Sequence, residues 1–141
     1  MIIRHKWLAA LGAMAAGALA ACSPQAAEQV PEPTSAAVAT HPESGLEVIP
    51  VTVTTDSGAH TFQAELAASR QEQARGLMFR TEMGADEGMI FPYDTPQELG
   101  FWMRNTVLPL DIIFIGPDGR ILNIEDGEPY NEVSVTSDGL A

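Results

Sequence analysis

Between Ala74 and Ile115 the chain reads ARGLMFRTEMGADEGMIFPYDTPQELGFWMRNTVLPLDIIFI, and this stretch limits the fold more than any other. It holds four of the six methionines, and three of the five arginines that follow Cys22. Its apolar runs are short and cut off by Gly, Pro and Asp, the punctuation of strands rather than of long helices. Gly88 to Phe91 is a short strand stopped by Pro92. Leu99 to Asn105 reads as a strand with Phe101 and Met103 on one face and Trp102 and Arg104 on the other. Asp111 to Ile115 is a nearly continuous apolar run, as expected of a central strand.

The flanking segments extend the pattern. Val48 to Thr55 alternates apolar and hydroxyl residues, Asp56-Ser57-Gly58 is a turn signal, and His60, Phe62, Ala64 and Leu66 share one face of a returning strand. Ser69 with Glu72 forms a capping box that opens a helix, with Ala67, Ala74, Leu77 and Met78 as its apolar stripe. Gly76 costs about 1 kcal/mol inside a helix, so it marks the helix end or a close backbone approach. Gly116-Pro117-Asp118-Gly119 is a strong hairpin turn that sends Arg120 to Ile124 back along the preceding strand. A last strand is expected over Glu132 to Thr136. Six to seven short strands and one capped helix predict a mainly β domain: a small, curved or barrel-like antiparallel sheet.

The start of the chain has a different character. Arg4 and Lys6 precede an apolar run, Trp7 to Leu19, that is too short to span a bilayer stably. It ends in Leu19-Ala20-Ala21-Cys22, an order that resembles a bacterial lipobox, and Cys22 is the single cysteine. The pattern predicts a lipoprotein signal peptide over residues 1–21, lipidation of Cys22, and a chain held on the cell envelope facing the periplasm. Ser23 after the Cys favours the outer membrane over the inner one. Residues 22–46, rich in Ala, Pro, Glu and Ser, predict a disordered tether in which His41 is solvated. That leaves 47–141 as one domain, able to remove about 60–65% of its chain surface from water. One cysteine excludes an intrachain disulfide and Cys-based metal sites. The net charge is −12 and becomes −14 if the chain is cut before Cys22, since Arg4 and Lys6 leave with the leader. Such acidity repels nucleic acid, which is not expected as a partner.

At ARGLMFR, GMIF, FWMRNT and PLDIIFI, with the capped helix before and GPDGRI after, the chain resembles the domain of unknown function 192 family over roughly Thr61 to Glu125. The resemblance implies a small, mainly β bacterial domain, often secreted or lipid-anchored, and no established activity. It also implies a further strand-bearing segment beyond Ala141, so the chain reads as a C-terminally truncated copy. The strand at Asp111–Ile115, or its neighbour, is then expected to lack a pairing partner.

Chemistry-bearing residues are few. Arg75 or Arg80 beside Trp102, Asn105 and Thr106 could form an anion-binding cleft, because guanidinium groups hold carboxylates in fixed geometry. The bland alternative, which is preferred, is a structural pair between an arginine and Asp111, with Trp102 buried in the core. Met78, Met83, Met89 and Met103 could attract Cu(I), but each sits in an apolar pattern and core filling explains them better. No zinc or calcium-loop spacing, Gly-x-Ser-x-Gly elbow or paired nucleophile and base is present. No metal or cofactor is therefore expected. The reading is a membrane-anchored module, non-catalytic, that binds a small ligand or an envelope partner. The alternative is an envelope hydrolase using Asp111 with a neighbouring Arg.

Overall fold

The computed structural model describes residues 1–4 and 39–141. The apolar run of the leader, Cys22 and most of the tether lie outside those residues. Among the described residues the protein is mainly β, with one curled, half-barrel sheet and a single short helix. Its elements are β1 (Ile2–Arg4), β2 (Val48–Thr55), β3 (Gly58–Leu66), α1 (Arg70–Arg75), β4 (Glu87–Ile90), β5 (Gly100–Phe101), β6 (Leu110–Ile115), β7 (Ile121–Gly127) and β8 (Val135–Thr136).

The large sheet has the order β2-β3-β4-β1-β6-β7, and β5 pairs with β8 in a small second sheet. The hairpin β2–β3 closes at Thr55↔Gly58, and β6–β7 closes over the Gly116–Gly119 turn, where the Gly119 N–H donates to the Gly116 carbonyl at 2.9 Å. Both turns fall where Gly and Asp signals place them. The sheet is mixed rather than wholly antiparallel, because β3 and β4 run parallel. A parallel pair needs a long crossover, and α1 lies in it.

The helix begins as the capping box dictates. The Glu72 N–H donates to Ser69 Oγ at 3.2 Å, and the Ser69 N–H donates to Glu72 Oε2 at 2.7 Å. Those bonds also lower the Glu72 carboxyl below its ordinary range. The helix stops after six residues, where Gly76 turns to φ +49°. None of its residues is buried; Ala67 before it and Leu77 after it enter the core instead. The expected stripe is thus split across the two ends of a shorter helix.

The core lies inside the curl of the sheet. Phe114, Met89 and Ile112 are its largest fully enclosed side chains, joined by Met83, Met103, Leu108 and Leu110. The Phe91 and Phe101 rings meet edge to face at 5.1 Å, and Phe101 lies 5.9 Å from Phe114, so one aromatic chain ties the small sheet to the large one. The methionines Met83, Met89 and Met103 fill this core, as their apolar settings predicted.

Two terminal features depart from expectation. The end of the proposed tether is engaged: Thr40 bridges Glu47, and the turn His41–Gly45 packs against β3. The strand β6 is flanked on both sides, by β7 and by β1, whose Ile2, Ile3 and Arg4 face Ile112, Asp111 and Leu110. The Met1 ammonium donates to the Ile113 carbonyl at 2.7 Å, and the Ile113 N–H donates back to the Met1 carbonyl at 2.7 Å. Burial lowers that amine from 8.0 to about 6. A base with a depressed folded pKa weakens folding where it must carry its charge. The penalty is absent above pH 8 and complete below pH 6, about 2–3 kcal/mol across the window. The full chain should therefore melt higher at pH 8 than at pH 6 by more than its N-terminally acetylated form does. Identical pH dependence of the two forms in thermal scans would contradict the burial of Met1.

Candidate functional site

The six candidate residues separate into distinct settings. Arg80 is only 4% exposed, and its carboxylate partner is Glu65 of β3, itself 3% exposed. Nη1 donates to Glu65 Oε1 at 2.9 Å and Nη2 to Oε2 at 3.0 Å, a bidentate fork. Arg80 Nε lies 3.2 Å from Glu43 Oε2, His41 Nε2 lies 3.4 Å from Nη1, and the Ser44 hydroxyl donates to Glu65 Oε2. The expected structural arginine pair therefore exists, but with Glu65 rather than Asp111. Asp111 is half-buried on β6, opposite Ile3 on one side and Asp126 on the other. His41, expected to be solvated, is packed against the pair with its side chain 17% exposed.

Trp102 is also corrected. Its ring is 47% exposed, while the next residue, Met103, is 4% exposed. The alternation read from the sequence is right, but the wrong face was assigned to the core. The strand expected over Leu99–Asn105 is reduced to Gly100–Phe101, and Trp102 leaves it with the Arg104 guanidinium carbon 5.6 Å above its ring.

Asn105 and Thr106 act through their backbone. Asn105 has φ +56°, and its carbonyl accepts from the Phe79 N–H at 2.8 Å; the Thr106 carbonyl accepts from the Tyr130 N–H at 3.1 Å. Phe79 (φ +66°) and Tyr130 (φ +61°) are themselves left-handed, and both rings are about two-thirds exposed, at 64% and 65%. Left-handed backbone at a non-glycine residue costs of order 1–3 kcal/mol and persists only where its surroundings impose it. Here three such residues meet, and they hold two aromatic rings in solvent. No local sequence signal marks Phe79 or Tyr130 for this role.

Arg75, Trp102 and Thr106 do come together. They line a cavity of about 250 Å³ walled by Gly76, Leu77, Phe91, Phe101, Met103 and Leu110. Arg75, Tyr93 and Trp102 are its exposed members. Burial raises the Tyr93 phenol above its ordinary value, so it is neutral at physiological pH. Arg75 forms no ion pair among the described residues. Chemically the cavity offers an apolar interior, an aromatic wall and one uncommitted guanidinium. Among the described residues no group of three or more His, Cys, Asp or Glu could hold a metal ion.

A family model described as an uncharacterized ACR, domain of unknown function 192, matches residues 51–140. The chain belongs to this family. A protein of unknown function from Novosphingobium aromaticivorans DSM 12444 is similar in structure, with a TM-score of 0.72 and 55% identity over 76% of this chain and 77% of that one. A protein from Sinorhizobium meliloti 1021, described as a candidate transcription regulator, is similar at a TM-score of 0.65 and 36% identity, over 68% of this chain and 76% of that one. No curated protein matches the chain significantly.

Proposed function

We propose that this member of the domain of unknown function 192 family is a non-catalytic module of the cell envelope that binds a small amphiphilic anion. The observation that carries the reading is the cavity beside α1, where Arg75 stands uncommitted next to apolar walls and the exposed Trp102 ring. An acyl or aryl body fits apolar walls of that size, and a carboxylate or similar head matches the guanidinium fork. The hydrolase alternative is not carried forward. It needs Asp111 with an arginine, and Arg80 is already committed to Glu65.

Octanoate is a suitable probe. It should perturb amide resonances of Gly76, Phe91 and Phe101 together with the Trp102 indole. Loss of a charge-assisted hydrogen bond worth about 1.5–3 kcal/mol should make Arg75→Gln bind octanoate roughly tenfold or more weakly, with octanol unaffected. Perturbations confined to residues outside the cavity, or equal octanoate affinity in Arg75→Gln, would sink the reading.

The envelope location rests on the leader pattern and on Cys22 as the single thiol. In the proposed topology, acyl chains on Cys22 hold the domain at the outer membrane facing the periplasm, and several chains anchor far more firmly than one. Cys22→Ser should move the protein from the membrane fraction to a soluble or unprocessed form. Complete partitioning of Cys22→Ser with the detergent phase would refute the anchor.

A further inference from the structure

The large sheet is held together at its centre by three residues. Remove β1 and the facing edges of β4 and β6 stand roughly 9–10 Å apart, two strand spacings, with no hydrogen-bond partner between them. Backbone N–H and C=O groups left dry and unpaired are costly, and only another extended backbone satisfies both edges at once.

The groove is longer than its present occupant. β1 faces Leu110 to Ile112 and Met1 bonds Ile113, but β6 continues through Phe114 to Ile115. Just beyond Met1 lies a cavity of about 230 Å³, lined by Ile90, Phe91, Phe101, Phe114 and Ile115 among others. The chain terminus thus sits part-way along the groove and places an ammonium in apolar surroundings. The floor is also built for close backbone approach. A Cβ at Gly88 would run into the Ile2 carbonyl and come within 3.1 Å of Ile3 Cγ2.

We propose that the groove between β4 and β6 is a strand-acceptor site for an internal, apolar segment of a partner polypeptide, which adds antiparallel to both strands, with Met1–Arg4 as its placeholder. Backbone hydrogen bonds from both edges supply affinity. Selectivity comes from an apolar side chain at the Ile2 position, facing the core, and from apolar residues preceding the Met1 position, which fill the cavity. An internal segment brings no terminal charge into the groove, and this distinguishes it from the leader. Loss of the leader by cleavage before Cys22 would vacate the site.

The test uses the full chain and the labelled peptide acetyl-Val-Val-Met-Ile-Ile-Arg-amide. Ile2→Asp places a charge at a position that is 6% exposed and should expel β1. The peptide should bind Ile2→Asp at least tenfold more tightly than the unaltered chain, and adding Gly88→Val should abolish that binding. Equal binding to both chains, no binding to a folded Ile2→Asp, or binding that survives Gly88→Val would each overturn the proposal. Self-association of Ile2→Asp without peptide would assign the groove to a second copy of the chain and overturn it likewise. If Ile2→Asp does not fold, hydrogen exchange on the unaltered chain decides. Saturating peptide should speed exchange of the Ile2 to Arg4 amides while Ile112 and Ile113 remain protected; unchanged exchange at β1 overturns the proposal.

Discussion

Arg80→Met should destabilise the domain by about 3–5 kcal/mol, because it strands the Glu65 carboxylate in a place water does not reach. Glu65 and Arg80 are 3% and 4% exposed and satisfy each other through two parallel hydrogen bonds. Ser44 and His41 add contacts, but neither offers a full compensating charge of fixed geometry. In a domain of about 100 residues, each kcal/mol moves the melting temperature by roughly 4–8 °C, so a fall of about 15–30 °C is expected. A loss of this size approaches the whole stability of a small domain. The double variant Glu65→Leu/Arg80→Met should melt well above Arg80→Met, since an apolar pair carries no unpaired charge. A single variant that melts within a few degrees of the unaltered chain would show that the pair is solvated or dispensable.

Phe114→Ala is expected to cost about 3–5 kcal/mol as well, by a different route. The ring is 2% exposed, faces Phe101 at 5.9 Å and lies where β6 meets the bulge against β7. Its truncation leaves a hole in the aromatic chain that joins the two sheets, and the close-packed walls can relax only partly. Trp102→Ala is the contrasting case. The larger ring is 47% exposed and rests mainly beneath Arg104, so its loss should fall within about ±0.5–1 kcal/mol. Chemical denaturation of both variants tests the pair. If Trp102→Ala proved the more damaging, the assignment of inner and outer faces on either side of Met103 would be wrong.

The outer-face position of Trp102 illustrates what could be read early. Phe101 and Met103 opposed to Trp102 and Arg104 is a two-residue alternation, and the structure keeps it. Which side of that alternation meets the core depends on how the segment crosses the aromatic chain, and no local pattern encodes this. A large aromatic is the default candidate for burial, yet the flexible Met103 takes the inner position beside Gly127, where a Cβ would come within 2.9 Å of its sulfur. Arg80 repeats the lesson. A guanidinium among apolar residues implies a carboxylate partner, and Asp111 was the nearest candidate by pattern. Glu65 was disguised as the outer residue of an alternating strand. It is buried because the turn His41–Gly45 folds over it, a contact between segments about 20 residues apart.

The sequence by itself determined the local events. The Ser69–Glu72 capping box, the two hairpin turns, the breaks at Gly76 and Pro92 and the apolar run of β6 act through neighbours within a few residues, and all lie where the chain places them. Only the tertiary structure decided which carboxylate meets Arg80, which aromatic faces water, that β3 and β4 pair in parallel, and that Ile2–Arg4 enters the sheet between β4 and β6. Each of those outcomes joins segments distant in sequence. They are settled by which pairing buries the most apolar surface while leaving the fewest polar groups unsatisfied, a balance struck over the whole domain rather than within any window of the chain.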